Sequence, residues 1–72
     1  MNFNIKKIGC ICAKHRLLKD LTLKELAELS GINQKSLSAF EKGRANNLKY
    51  IFCYAKYTNK CGILEDIFNE VL

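Results

Sequence analysis

The feature that most constrains this chain is a series of short apolar patterns at helical spacing, each closed by a turn signal. Ile5, Ile8 and Cys12 recur at intervals of three and four residues, which predicts an amphipathic helix over about residues 5–19. Asp20 and Leu21 interrupt this pattern. We therefore expect the first helix to end there.

A capping box marks the start of the second helix. Thr22 and Glu25 have the required spacing, in which the hydroxyl accepts a hydrogen bond from the amide of the later residue and the carboxylate bonds back. The box predicts a helix over about residues 23–29. Gly31 then supplies a left-handed turn at low steric cost.

Asparagines mark the next two helix starts. Asn33 and Asn47 are suitable N-caps because an asparagine side chain can accept a bond from a free amide of the first turn. The remaining helices are expected at residues 34–42, 48–57 and 63–72, the last after a turn at 58–62. The predicted fold class is thus all-α, a compact five-helix arrangement. At 72 residues the whole chain, 1–72, is expected to form a single domain.

Charge is unevenly distributed along the chain. Residues 1–60 carry all twelve lysines and arginines against four acids, whereas the last twelve residues carry three acids and no base. A basic body with an acidic end is compatible with one face that binds polyanions, and equally with a solvated lysine-rich surface. No apolar run approaches the ~18 residues of a membrane span, and Lys6 and Lys7 interrupt the apolar start without a cleavage site after them. We expect a cytoplasmic protein that does not bind a membrane.

Four cysteines could form disulfides or bind metal, but their context favours packing. Cytosolic thiols stay reduced, and free cysteine behaves as a small buried hydrophobe. Cys10 and Cys12 lie two apart on the first helix and face different directions. Cys12 and His15 share a face, yet two ligands do not close a tetrahedral zinc site. We expect no metal and no cofactor, and a structural or phosphate-facing role for His15.

The second and third helices carry the most selective pattern. Two helices joined by a short turn with a glycine are typical of a helix-turn-helix. A small Ala27 suits the helix crossing, Gly31 makes the bend, and Ile32 and Leu37 fill the gap between the helices. The outer side of the third helix would then be free to enter a DNA major groove.

Residues 8–57 resemble the Cro/repressor-like (XRE-type) helix-turn-helix family. The residues that carry the resemblance are Ile8, Arg16, Leu21, Glu25, Leu26, Ala27, Gly31, Gln34, Leu37, Ser38, Phe40, Glu41 and Gly43. The resemblance implies a five-helix domain that binds operator DNA, usually as a dimer, and regulates transcription, with repression the expected sign. It also implies a partly buried ion pair between Arg16 and Glu41; the alternative is that both side chains are solvated.

The resemblance further implies two sets of DNA contacts. The base-reading residues are Gln34, Lys35, Ser38 and Ala39. A glutamine can form two bonds to an adenine edge, a lysine can donate to guanine, and an alanine methyl can contact a thymine methyl. The phosphate-binding residues are Thr22, Lys24, Asn33, Ser36, Lys42, Arg44 and Asn46.

One position departs from the family pattern. Leu23 stands where the family often has a glutamine that contacts a phosphate and supports the first residue of the recognition helix. Leucine can do neither, which leaves part of the usual anchor missing. Lys24 is a candidate to compensate.

The fourth helix is apolar on nearly every side. Leu48, Ile51, Phe52 and Ala55 are expected to form the core face, and a second stripe is predicted for a dimer interface, since tyrosine is enriched there. The predicted interface residues are Tyr50, Tyr54, Tyr57 and Phe68. The alternative is that the fifth helix and the N-terminal residues Phe3 and Ile5 cover this second stripe.

Two functions are compatible with these features. The first is a sequence-specific regulator that binds double-stranded DNA. The second is a protein-interaction module, an antirepressor or adaptor, with the same fold. An enzyme is not expected, because no serine–histidine–acid set or phosphate-cradling loop is present and one histidine cannot supply general acid–base chemistry alone. The sequence contains no evident site for a small-molecule effector.

Overall fold

The structure is a computed structural model that describes residues 4–45 and 47–71. In those ranges it consists of five α-helices and contains no strand, which confirms the all-α prediction. The helices are α1 (Ile5–Leu18), α2 (Leu23–Ser30), α3 (Gln34–Glu41), α4 (Lys49–Tyr57) and α5 (Lys60–Val71). None of them is both long enough and apolar enough to cross a bilayer. The predictions made for Phe3 and Asn46 lie outside the described residues.

The starts of α2 and α3 follow the predicted caps. The Thr22 hydroxyl accepts from the Glu25 amide at 3.0 Å, and the Glu25 carboxylate accepts from the Thr22 amide at the same distance. Asn33 Oδ1 accepts from the Lys35 amide at 2.8 Å. Helix α4 begins one residue later than expected, with Leu48 as its N-cap, so the prediction of Asn47 as the N-cap is wrong; Asn47 Oδ1 still accepts from the Lys49 amide at 3.1 Å.

Helix α1 is the centre of the packing. It contacts α3, α4 and α5, while α2 packs on α3 and α4 packs on α5. Burial removes apolar side chains from water at roughly 25 cal/mol per Å², and every helix contributes to one shared cluster. That buried cluster is Ile8, Cys12, Leu26, Leu37, Phe40, Ile51, Tyr54, Ile63 and Ile67.

Ion pairs join α1 to α5. Lys7 Nζ lies 2.7 Å from Glu70 Oε1, and Lys14 Nζ lies 3.4 Å from Asp66 Oδ2. The same Asp66 oxygen is 2.7 Å from Nε2 of His15, whose side chain is buried between the two helices. The structure therefore places His15 in a structural role rather than facing phosphate.

Helix α5 begins three residues earlier than the sequence pattern predicts. The predicted turn at 58–62 is wrong, because only Thr58 and Asn59 form it. Asn59 Oδ1 accepts from the Gly62 amide at 3.0 Å, which starts the helix before this glycine. The glycine reflects a close approach of α5 to α1 rather than a turn, since a β-carbon there would lie 2.8 Å from His15 Cε1.

The predicted core face of α4 is wrong in two of its four positions. Ile51 and Ala55 are buried, but Phe52 is 71% exposed and Leu48 is 40% exposed. Tyr54, predicted for a dimer interface, is completely buried in the core, so that prediction is wrong too. The helix is rotated from the expected orientation because two of its tyrosines pack on Phe40 of α3: the ring centroids of Tyr50 and Tyr54 lie 5.5 Å and 5.7 Å from that of Phe40.

The other predicted interface residues differ in exposure. Tyr57 is half-buried and its hydroxyl donates to a backbone carbonyl of α2 at 3.0 Å. Phe68 is 60% exposed.

Packing explains only part of the cysteine pattern. Cys12 is fully buried, and burial raises the pKa of its thiol to about 12. Cys53 is half-buried. Cys10 and Cys61 are exposed, so the expectation that they pack in the core is wrong; both lie on helix sides that no other described element covers. No set of three potential ligands that could hold a metal ion occurs in the described ranges.

The α1–α5 ion pairs predict an acid-sensitive contribution to stability. The hydrogen bond from His15, with a smaller contribution from Lys14, lowers the pKa of Asp66. A carboxyl group whose pKa is lower in the folded state stabilises above its unfolded pKa, and this stabilisation is lost as pH falls through the folded pKa. In Asp66→Asn, the unfolding free energy should therefore decrease less than in the parent chain as the pH falls below about 5. Urea unfolding between about pH 7 and about pH 3 measures this dependence.

Glu65→Gln is the matched control. Glu65 is the preceding carboxylate on α5, is exposed, and forms no ion pair with a described residue. This variant should keep the acid dependence of the parent chain. Equal acid curves for Asp66→Asn and the parent would contradict the assignment.

Candidate nucleic-acid interface

Helices α2 and α3 are joined by a three-residue turn. Gly31 adopts a left-handed conformation with φ of 75°, and its amide donates to the Ala27 carbonyl at 2.9 Å. Leu26 and Leu37 are fully buried where the two helices meet, and Ile32 packs against the same cluster. The glycine bend and the packing of Ile32 and Leu37 are therefore as the sequence predicted for a helix-turn-helix, and Ala27 packs against the same cluster.

Helix α3 has a buried inner side and an accessible outer side. Leu37 and Phe40 on the inner side are fully buried. Two of the predicted base-reading residues, Gln34 and Lys35, are exposed in the first turn, and the other two, Ser38 and Ala39, are half-buried one turn later. All four are thus at least partly accessible to a ligand.

An open groove runs beside these side chains. It is lined by Leu23 on α2 and by Asn33, Gln34, Lys35 and Ser38 at the start of α3. The departure from the family pattern at Leu23 therefore lies directly at the candidate interface. A leucine supplies an apolar wall to the groove and no hydrogen bond.

Of the predicted phosphate-binding residues, Asn33 lines this groove, whereas Thr22 and Lys24 lie at the start of α2 and Lys42 and Arg44 follow α3. Thr22 and Asn33 use their side-chain oxygens as helix caps, which leaves the Thr22 hydroxyl proton and the Asn33 amide hydrogens available to donate. Lys24, Lys42 and Arg44 are exposed, and Ser36 is half-buried.

An ion pair between α1 and α3 lies behind the recognition surface. Arg16 Nε donates to Glu41 Oε2 at 2.7 Å and Nη2 donates to Oε1 at 3.1 Å. Arg16 Nη1 donates in addition to the carbonyl of Leu21 at 2.7 Å. Both side chains are nearly buried, and the bond to Glu41 raises the pKa of Arg16. A two-bonded arginine–carboxylate pair restricts orientation as well as distance, so α1 fixes the carboxyl end of α3.

Tyr54 on α4 is the third member of this network, although the sequence pattern assigned it to a dimer interface. Its hydroxyl donates to Glu41 Oε2 at 2.6 Å. Burial, with the hydrogen bond to Glu41, raises the pKa of Tyr54, so the phenol stays protonated and remains a donor. A buried tyrosine needs a partner for its hydroxyl, which Glu41 supplies. The spacing of Ile51, Tyr54 and Ala55 at i, i+3 and i+4 is a signal in the sequence that could have indicated the core position.

The fold and this surface define a helix-turn-helix domain with an accessible recognition helix. A protein-family model described as Helix-turn-helix matches residues 13–60, two thirds of the chain. The chain belongs to that family, the Cro/repressor-like (XRE-type) helix-turn-helix proteins, which confirms the resemblance. No curated protein and no solved structure matches it. The family consists of DNA-binding regulators rather than enzymes, and this chain is a DNA-binding regulator of that general type.

The Tyr54 hydrogen bond yields a stability prediction. Tyr54→Phe keeps the ring and removes one donor from the buried Glu41 carboxylate. We expect a loss of about 1.5–3 kcal/mol in unfolding free energy, because hydrogen bonds to charged groups are worth that much. Urea unfolding followed by circular dichroism measures the change.

The control is Tyr57→Phe on the same helix. It removes a hydroxyl that bonds a backbone carbonyl at an exposed site, and it should cost less than about 1 kcal/mol. Equal losses of unfolding free energy in the two variants would show that the buried hydrogen bond to Glu41 stabilises the fold no more than the exposed one.

Proposed function

We propose that this chain is a sequence-specific regulator that inserts α3 into the major groove of double-stranded DNA. The observation that carries the proposal is the accessible outer side of α3, where Gln34 and Lys35 are exposed while Leu37 and Phe40 anchor the opposite side. A helix of this diameter fits the major groove, in which each base pair presents a distinct set of donors and acceptors.

The base contacts follow from the side chains on that surface. Gln34 pairs with an adenine edge through two hydrogen bonds, and Lys35 donates to guanine O6 and N7. Ser38 adds a donor or acceptor, and the Ala39 methyl contacts a thymine methyl. The two half-buried residues can reach base edges only when the helix lies deep in the groove, so they depend on the orientation of α3.

The phosphate contacts come from the edges of this surface. Lys24, Lys42 and Arg44 are exposed cations on either side of α3, and Thr22, Asn33 and Ser36 contribute uncharged donors. Phosphate contacts of this kind position the protein on the duplex without reading its sequence. Asn46 belongs to the same proposal on the strength of the family resemblance alone.

We further propose that the chain acts as a homodimer and represses transcription. Two copies would present their recognition helices about 34 Å apart on a pseudo-palindromic site. Of the predicted interface residues, Phe68 has the largest exposed fraction, and Tyr50 and Tyr57 are half-buried. A repressor of this kind blocks transcription by occupying the operator, which requires no cofactor and no small-molecule effector.

A protein-interaction module is the second candidate function. Large apolar side chains are exposed outside the helix-turn-helix, with Leu17 and Leu18 at the end of α1 and Phe52 on α4. Exposed apolar groups can mark protein contacts. This alternative predicts that the chain binds no duplex, specific or random, at low salt.

Binding to a duplex of mixed sequence at increasing salt tests both candidates. Each cation that neutralises a phosphate contributes about −0.9 to the slope of log affinity against log salt. Lys24, Lys42 and Arg44 together thus contribute about −2.7 to the slope for each bound copy. Fluorescence anisotropy gives the slope, and selection from a random duplex pool then gives the operator, its symmetry and its half-site spacing. No retention at low salt would exclude the regulator.

Gln34 provides the sharpest test of base reading, because it carries no charge. Gln34→Ala should weaken binding to the selected operator by about 1–3 kcal/mol and abolish the preference at one base pair of each half-site. Affinity for random duplex should not change.

The matched control is Asn69→Ala, which removes an exposed amide side chain from α5. It should preserve both the operator affinity and the selected sequence. An unchanged base preference in Gln34→Ala would contradict the proposed role of Gln34 but leave the phosphate contacts standing.

A further inference from the structure

The side chain of Lys6, in the first turn of α1, lies across the loop that follows α3. Gly43 in that loop has φ of 75°, and a β-carbon at its position would lie 2.7 Å from Lys6 Cα, 2.8 Å from Cβ and 3.2 Å from Cγ. The glycine is therefore required both by its backbone conformation and by the close approach of α1. This contact brings the Lys6 stem against the backbone between Lys42 and Arg44.

The residues that carry three cations, Lys6, Lys42 and Arg44, therefore lie close together at the carboxyl end of α3. Lys6, Lys42 and Arg44 are exposed, and none forms an ion pair with a carboxylate in residues 4–45 and 47–71. The adjacent acid, Glu41, is occupied by Arg16 and Tyr54. An exposed group of like charges without a neutralising acid attracts a polyanion.

Two other lysines of α1 are neutralised within the described part of the chain. Lys7 pairs with Glu70 at 2.7 Å and Lys14 pairs with Asp66 at 3.4 Å, both on α5. Neighbouring positions 6 and 7 thus have opposite surroundings, one beside the recognition helix and one beside the acidic helix. Substitutions at these two positions can therefore distinguish a specific phosphate contact of Lys6 from a general effect of positive charge on DNA binding.

We propose that Lys6 binds a backbone phosphate of the DNA together with Lys42 and Arg44. This inference rests on the proposed function and extends the binding surface from the helix-turn-helix to α1. An ammonium group on a flexible stem is suited to a phosphate, to which it offers a compact charge. The contact stabilises the complex without regard to base sequence.

The test compares Lys6→Gln with Lys7→Gln. Glutamine keeps much of the aliphatic stem against Gly43 and removes the charge, and both sites are exposed, so both variants should give the circular dichroism spectrum of the parent chain. Affinity for a mixed-sequence duplex is measured by anisotropy at several salt concentrations. Lys6→Gln should make the salt slope shallower by about 0.9 per bound copy. Over the tenfold range from 1 M to 0.1 M salt, the ratio of the parent affinity to the Lys6→Gln affinity should therefore rise about eightfold.

Lys7→Gln should retain the slope of the parent chain. A parent-like slope for Lys6→Gln overturns the phosphate contact, and so does an equal decrease in both variants, which would indicate a general charge effect. Salt-dependent binding by the parent chain supports the proposed function in either case, so the two proposals can fail separately. If the parent chain binds no duplex, both are overturned.

Discussion

The hydrogen-bonded group of Arg16, Glu41 and Tyr54 is the constraint on which the recognition surface depends. It joins α1, α3 and α4 through one nearly buried carboxylate that accepts from the arginine at 2.7 and 3.1 Å and from the phenol at 2.6 Å. A buried charge is stable only when it is paired and hydrogen-bonded. Removing one partner of such a pair typically costs about 3–5 kcal/mol, because the other is left uncompensated. The network therefore leaves the end of α3 little freedom to shift relative to α1 and α4.

The distribution of charge separates two sides of the molecule. The acids Asp66 and Glu70 on α5 neutralise bases of α1 on the side away from the helix-turn-helix. Near α3 and the loop after it, the described bases Lys35, Lys42 and Arg44 form no ion pair with a described carboxylate. Each ion pair with α5 cancels the charge of one base, so the positive potential is weaker beside Asp66 and Glu70 than near the unpaired bases around α3. The uneven charge along the sequence is thus converted by the packing of α1 against α5 into a difference between surfaces.

The sequence predicted the elements with strong local signals and failed where only tertiary packing decides. The starts of α2 and α3 follow from the Thr22–Glu25 box and the Asn33 cap, since a capping bond involves residues close in the chain. The orientation of α4 could not be predicted, because a helix that is apolar on nearly every side has no single face by which to orient it. The pattern therefore places Tyr54 at the surface, whereas the residue lies in the core. The early start of α5 was missed for a similar reason: a glycine that permits close packing has the same sequence signal as one that makes a turn.

The short recognition helix explains why these distant contacts matter for the candidate site. Helix α3 has only eight residues, and an isolated helix of that length is not stable in water. Its shape and direction must come from its surroundings: the Asn33 cap at one end, Leu37 and Phe40 in the core, and Glu41 at the other end. These contacts occupy the inner side and both ends, so the outer side needs no partner from the described chain. A surface held in this way loses little conformational freedom when it binds, which favours affinity and a fixed register on DNA.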